Sequence, residues 1–231
     1  MTILYLYFEG GFLNSKFFIS DVFDASEAAS IPVLTQRPSK RLFDVFLILL
    51  ASPLVLPAGI LIVMLIKLDG GGAALFGHRR FGRRGEPFNL LKFRTMVVGA
   101  EELKLKLLDL NEAAWPDFKI TNDPRVTRIG RFLRKTSLDE LPQLLNVLRG
   151  EMSLIGPRAS SVPLERYENW QLPRLSVLPG IAGPAQLFQR NGTFSDRCRL
   201  DLEYIATSSL WTDLRLCLQV VGKIIFAPDG K

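Results

Sequence analysis

From Val45 to Ile66 the chain runs for 22 residues without a charge, and no other stretch limits the fold so strongly. As a straight helix it would reach about 33 Å, enough to cross the hydrocarbon core of a bilayer. Two features oppose a simple spanning helix. Ser52-Pro53 and Pro57 stand in its middle, where proline removes a backbone donor and pushes its predecessor out of helical space, so a kink or break is expected. Each arm alone would be too short to span. Cations also flank both ends: Arg37, Lys40 and Arg41 before the segment, and Lys67, Arg79, Arg80, Arg83 and Arg84 after it. A spanning helix carries them mainly on its cytoplasmic side. The segment is therefore expected to dip into one leaflet and return as a re-entrant hairpin broken at Ser52 and Pro53, its freed backbone satisfied by Ser52 or by protein neighbours. A buried core helix fits this length and evenness of apolarity less well.

The remaining chain supplies one medium domain; 231 residues leave ample material for a core and do not demand two. The formal charge of +6 favours partners that carry phosphate: nucleic acid, nucleotides or an anionic membrane surface. Cys198 and Cys217 lie far apart without metal-ligand spacing, and His78 is the only histidine. A Cys/His zinc site or a Ser-His-Asp triad is thus hard to build, and reduced structural cysteines are expected. The start of the chain lacks the pattern of a secretory signal, so the bulk of the protein is expected in the cytosol. Residues 1–36 read as an arm of strand or loop with no assigned role, 37–68 as the re-entrant membrane segment and 69–231 as the cytosolic domain.

Within that domain, Ala73 to Met96 reads as a β-hairpin turning at Gly82-Arg-Arg-Gly85. Phe88, Leu90, Lys92 and Arg94 then share one strand face, and two cations so spaced can flank a pyrophosphate or stay solvated. Val97 to Trp115 has helical spacing in Leu103, Leu107, Leu108 and Leu110, which reads as packing. Asp123-Pro124 looks like a helix entry, followed by a basic face of Arg128, Arg131 and Lys135 suited to anionic lipid. The proline-rich stretch 163–190 reads as surface loops. Leu200 to Ile225 reads as a helix striped by Leu210, Leu214, Leu218, Val221 and Ile225, with Trp211 near its start; it packs on the core or lies at the interface.

The centre of the chain's chemistry is Arg134-Lys-Thr-Ser-Leu-Asp139-Glu140-Leu-Pro-Gln143. Two adjacent carboxylates sit there inside a basic segment, with Arg134 expected to turn towards them. Ser137 with Glu140 also fits a capping box, but Pro142 is awkward inside a helix capped at Ser137. Further on, Gly156-Pro157 would present Arg158 on a rigid loop suited to bidentate phosphate binding.

These motifs together resemble the bacterial sugar transferase family, the monotopic polyprenyl-phosphate phosphoglycosyl transferases. The likeness runs from about Lys40 to Ile225. It rests on Lys-Arg-Leu-Phe-Asp44, the Ser52-Pro53 segment, Lys92-Phe-Arg-Thr-Met96, Asp123-Pro-Arg-Val-Thr-Arg128, the acidic stretch, Asn146-Val-Leu-Arg-Gly150, Met152-Ser-Leu-Ile-Gly-Pro-Arg158 and Pro179-Gly180-Ile181. The sequence departs from the family pattern at Ala159 and in Pro179–Ala185. The resemblance implies a mostly helical α/β fold: a re-entrant membrane helix-hairpin, and a compact cytosolic globule with a small β-hairpin and interfacial amphipathic helices.

It further implies transfer of a sugar 1-phosphate from a UDP-sugar to undecaprenyl phosphate on the cytosolic face of the inner membrane, with Mg²⁺ as cofactor and UMP released. This would be the first membrane step of exopolysaccharide, capsule, O-antigen or related glycan synthesis. Asp139 would be the nucleophile that carries a covalent phosphosugar, Glu140 would share the metal, and Lys92, Arg134 and Arg158 would contact phosphate; Arg94 joins them by its place on the strand. A catalytically weak scaffold of the same fold is the alternative, and intact Asp139 and Glu140 oppose it. A basic nucleic-acid-binding protein is opposed by the long apolar segment and the lack of any aromatic platform. The motifs specify neither the sugar nor the oligomeric state.

Overall fold

The computed structural model describes residues 38–70, 72–112, 118–162, 166–189 and 192–226. The arm at 1–36, Arg37, Trp115, Pro163 and the side chain of Ile225 lie outside what is described.

Helix α1 (Pro38–Gly70) is 33 residues long and stays helical through both Pro53 and Pro57. What the sequence marks as a break is a locus of missing donors within a continuous helical run. Pro53 cannot donate to the carbonyl of Leu49, and the Ser52 hydroxyl donates to that oxygen instead, at 2.8 Å. Burial is confined to the two ends of the apolar stretch. Ile48 packs with Leu90, Val147 and Met152, while Ile62 and Ile66 pack with Ala74, Phe93 and Leu133. Between them Leu49, Leu50, Leu54, Leu56, Ile60 and Leu61 are exposed, Leu54 by 79%. Moving six such side chains from water into hydrocarbon is worth roughly 10 kcal/mol or more. That matches the whole stability of a typical domain, about 5–15 kcal/mol. The middle of α1 is built for apolar surroundings that the described globule does not supply.

The expected hairpin is present. Strand β1 (Leu75–Phe81) pairs antiparallel with β2 (Pro87–Phe93), Leu75 opposite Phe93 and Phe81 opposite Pro87, around a 3-10 turn at Arg83–Gly85. The long helix expected over Val97 to Trp115 is reduced to α2 (Ala100–Leu105) and a 3-10 turn at Leu108–Leu110, because Leu107 leaves helical space with φ −115° and ψ 11°. Leu103, Leu108 and Leu110 are exposed rather than packed.

Helix α3 (Arg128–Thr136) does not enter at Asp123-Pro124. Thr127 is its N-cap, its hydroxyl accepting from Gly130 N at 3.0 Å, while Asp123 closes on Arg125 with Oδ2 to Nη2 at 2.7 Å. The leucine of α3 at 133 is fully buried, and Arg128, Arg131 and Lys135 form an exposed basic face. Helix α4 (Gln143–Arg149) starts directly after Pro142 and ends at Gly150, whose φ of 82° suits a left-handed C-cap.

The chain then forms a second strand pair that periodicity did not reveal. Strand β3 (Ser153–Ile155) runs parallel to β4 (Gly180–Ala182), with Ser153 opposite Gly180. The stretch expected as surface loops thus holds a 3-10 helix at Asn169–Ser176, then β4 and α5 (Pro184–Phe188). The single C-terminal helix of the sequence reading is two. Helix α6 (Phe194–Thr207) opens with a Thr193/Asp196 capping box, and α7 (Leu210–Phe226) restarts after Ser208, whose ψ of 132° ends α6. Asp213 and Leu216 face inward, whereas Leu210, Trp211, Leu218 and Val221 are exposed, so the apolar stripe faces away from the core.

Buried polar groups join α1 to the globule. Asp44 has no exposure and accepts from Ser153 Oγ of β3 at 2.7 Å. Lys40 stands 3.3 Å from Asp44 Oδ1 and 2.8 Å from Asp213 Oδ2 of α7, and Tyr204 of α6 donates to Asp213 Oδ1 at 2.5 Å. Arg41 donates to the carbonyls of Val147 and Leu148 at the C-terminal end of α4, where a cation complements the helix dipole. Removing one member of a buried ion cluster leaves another charge uncompensated. Asp44→Ala should therefore cost about 3 kcal/mol of stability, read as a lower thermal midpoint in detergent. A change below about 0.5 kcal/mol would mean that the joint does not hold the helix.

Candidate active site

The acid pair sits on a 3-10 turn, Leu138–Glu140, between α3 and α4. Residues three apart eclipse in such a turn. Leu138 and Leu141 accordingly pack together against the cluster of Ile62, Ile66 and Leu133, and Asp139 and Glu140 are left on the other side. Ser137 enters the turn with φ 56°, as the C-cap of α3, and its side chain caps nothing. The capping box that its spacing with Glu140 allows is therefore not formed; α4 begins at Pro142 instead.

Both carboxylates are buried, Asp139 with 3% and Glu140 with 8% exposure, and cations from separate elements meet them. Lys92, at the end of β2, places Nζ 2.9 Å from Glu140 Oε1 and 3.5 Å from Asp139 Oδ2. Arg158 reaches the same Glu140 oxygen at 3.1 Å from the loop after β3. Arg134 of α3 donates from Nε to Thr95 Oγ1 at 2.9 Å and lies within electrostatic reach of Asp139. Burial pulls its pKa down and the Asp139 charge pulls it back up; a guanidinium so placed stays protonated. Five of the residues singled out in the sequence, Asp139, Glu140, Lys92, Arg134 and Arg158, are thus brought together. Arg94 is not among them. It lies just past the end of β2 and lines a different cavity, with Asp69, Gly70, Met96 and Thr127. Ser52 and Pro53 lie in the exposed middle of α1, away from the acids.

Supporting residues hold this constellation, and their roles were hardly legible in the sequence. Asn146 of α4 is fully buried and accepts from Leu91 N at 3.0 Å while donating to Asn89 O at 2.8 Å. It fixes the strand on both sides of Leu90 and so aims Lys92. Arg174 is buried on the 3-10 helix, donates to Asp201 Oδ2 at 2.6 Å, and caps the backbone carbonyl of Arg158 at 2.7 Å. Neither residue belongs to a periodic pattern; Asn146 had only its place in a family motif.

The loop that departs from the family pattern serves as the seat of Arg158. Gly180 N donates to Pro157 O at 2.8 Å and Gly156 N to Ala182 O at 2.9 Å. A Cβ on Gly180 would stand 2.2 Å from Gly156 N, so this close approach admits only glycine.

The described chain thus combines a buried carboxylate pair ringed by cations with one helix long and apolar enough to cross a membrane. The chain belongs to the bacterial sugar transferase family, whose model matches residues 35–227. It is 43% identical over 202 residues to a UDP-galactose-lipid carrier transferase of Erwinia amylovora, an alignment covering 85% of this chain and 42% of that protein. It is 40% identical over 192 residues to the exopolysaccharide production protein ExoY of Rhizobium meliloti, covering 80% and 85% of the two chains. To the UDP-glucose:undecaprenyl-phosphate glucose-1-phosphate transferase of Caulobacter vibrioides it is 40% identical over 217 residues, covering 85% and 77%. The chain spans less than half the length of several of its curated relatives.

Because Gly180 abuts Gly156 with no spare room, Gly180→Ala should lower stability by about 2 kcal/mol or more. Thermal unfolding of the detergent-solubilised protein reads this directly. An unchanged midpoint would show slack in the seat of Arg158.

Proposed function

We propose that the protein transfers a sugar 1-phosphate from a UDP-sugar to undecaprenyl phosphate, releasing UMP, at the cytosolic face of the inner membrane. The observation that carries this reading is the meeting of Lys92, Arg134 and Arg158 around a buried Asp139-Glu140 pair, within a family whose relatives are named for such reactions.

The chemistry follows from the residues. An Asp139 oxygen attacks the phosphorus that bears the sugar; a phosphorus–oxygen bond forms, the bond to UMP breaks, and UMP leaves with the electron pair. The product is an acyl phosphate on Asp139. An oxygen of the acceptor phosphate then attacks the same phosphorus, the bond to Asp139 breaks, and the carboxylate is restored. Splitting the transfer spares the site from holding two bulky anions at once. Phosphoryl transfer needs mainly positioning and charge compensation. Lys92 and Arg158 offer both, because donor phosphate can replace Glu140 as their partner. Glu140 is held by both cations, at 2.9 and 3.1 Å, and Lys92 also lies 3.5 Å from Asp139 Oδ2.

Among the described residues no group of three or more His, Cys, Asp or Glu is placed to hold a metal. The Asp139-Glu140 pair still fits Mg²⁺, which typically takes one or two carboxylates and completes its shell with substrate phosphate and water. Asp139 and Glu140 would hold the ion, and the chemistry it would supply there is neutralisation of charge on the phosphoryl oxygens.

A re-entrant α1 is supported by its burial: both ends of the apolar stretch pack on one globule, and the exposed middle carries Pro53 with Ser52 as its substitute donor. Reporters fused to the two termini should then both read the cytosol. A periplasmic N-terminal reporter would restore a spanning helix.

The reaction is tested with detergent-solubilised protein, Mg²⁺ and a panel of UDP-sugars. One UDP-sugar should release UMP in stoichiometric amount without acceptor and catalytically with undecaprenyl phosphate. Asp139→Asn should abolish both, by at least about 10³-fold, and EDTA should stop turnover. Release that survives Asp139→Asn would remove the covalent step. Folded protein that releases UMP from no UDP-sugar would favour the scaffold reading.

A further inference from the structure

The two cations that share a strand face in the sequence do different work in the fold. Lys92 meets the acids, whereas the Arg94 backbone N–H donates to Ala74 O at 2.8 Å and its guanidinium makes no hydrogen bond or ion pair among the described residues. Its half-buried guanidinium lines a cavity of about 110 Å³ at the C-terminal end of α1, walled by Ile66, Asp69, Met96, Val97, Val98 and Thr127. On the same measure one ordered water needs about 10–15 Å³, so the space admits a larger group. The chain leaving α1 makes room for this arginine. Gly72 has φ 68°, and a Cβ there would lie 2.2 Å from Arg94 Nη1, so a side chain at 72 would collide with the guanidinium.

The lining is split by chemistry. Arg94 supplies a charged fork for a phosphate. Ile66, Met96, Val97 and Val98 supply an apolar wall, and Val98 is exposed at its rim. One carboxylate faces the cavity, that of Asp69, and it is engaged by Ile129 N of α3 at 3.1 Å. Lys67, Arg128 and Arg131 are exposed close by in the chain, so cations outnumber that acid. A phosphate on a long hydrocarbon chain matches a site that is cationic at one side and apolar at the other; inorganic phosphate would leave the apolar side without a partner.

We propose that this cavity holds the phosphate of the long-chain lipid acceptor, with Arg94 as its binding residue, apart from the cations that bind the donor. The inference rests on the transferase reading above. Arg94 lies two residues beyond Lys92, roughly 7 Å along an extended chain. A lipid phosphate held there leaves the contacts of Lys92 and Arg158 in place for the donor.

The full chain in detergent tests this by comparing the two substrates. Arg94→Gln should lower kcat/KM for undecaprenyl phosphate about 10-fold or more, with Arg94→Lys recovering part of it. The donor kcat/KM should stay within about twofold. Val98→Glu, which adds a carboxylate at the exposed rim, should act in the same direction as Arg94→Gln. A second arm needs no turnover: undecaprenyl phosphate binding to Asp139→Asn protein, followed by thermophoresis, should weaken about 10-fold when Arg94→Gln is added. Undecaprenol binding should not change, and inorganic phosphate should not compete. Equal losses for donor and acceptor, lipid phosphate binding indifferent to Arg94, or effective competition by inorganic phosphate would each overturn the proposal. If no UDP-sugar reacts with the wild-type protein, the transferase reading fails, and the binding arm still judges the site.

Discussion

A carboxylate shut away from solvent sets the geometry of the whole molecule. Asp44 loses its hydration on folding, a cost of several kcal/mol for an ion, and the protein offsets it with the Ser153 hydroxyl and the Lys40 ammonium. Each partner brings another element: Ser153 belongs to β3, and Lys40 also holds Asp213 of α7, which in turn takes the Tyr204 hydroxyl of α6. Such a cluster tolerates little sliding, because a one-residue shift of α1 would leave charges unpaired. The apolar helix is thereby fixed in rotation and height against the globule. The strand that receives Asp44 leads directly after Ile155 into Gly156-Pro157-Arg158. The seating of the apolar helix and the placement of a cation beside the acid pair are thus parts of one joint.

The acid pair is held by the opposite economy. Asp139 and Glu140 are side by side and nearly dry, a placement that would be prohibitive for two like charges alone. Lys92, Arg134 and Arg158 make it tolerable, and each arrives on a different element, so the pair is assembled only by the complete fold. The scaffold spends further buried polar contacts on keeping those cations in place, through Asn146 beside Lys92 and the Arg174–Asp201 pair behind Arg158. In a low-dielectric site these cations act strongly on any phosphate that replaces Glu140 as their partner.

The outer surface has its own logic. The middle of α1, the Leu103–Leu110 region and the stripe of α7 with Trp211 all expose large apolar side chains, while α3 exposes Arg128, Arg131 and Lys135. Apolar faces beside cations suit the boundary between headgroups and acyl chains.

Much of this was legible in the chain. The uncharged run with Ser52-Pro53 and the Gly82–Gly85 turn follow from local rules, because backbone donors and turn chemistry act within a few residues; the convergence of Arg158 with the acids was implied only by the family resemblance. The failures share a cause. The C-terminal stripe reads equally as core or interface, since periodicity reports an apolar face but not what covers it. The expected helix over Val97 to Trp115 failed at Leu107, where local propensity is weak and tertiary context decides. Strands β3 and β4 are three residues each and pair across 24 intervening residues, too short for any periodic signal. Lys92 and Arg94 look alike in sequence, two cations on one face. The sequence by itself determined an apolar helix, a basic domain and a family chemistry. Only the tertiary structure decided that Lys92 faces the acids while Arg94 faces the end of the membrane helix, because a side chain's partner is set by whatever packs beside it after the strand has ended.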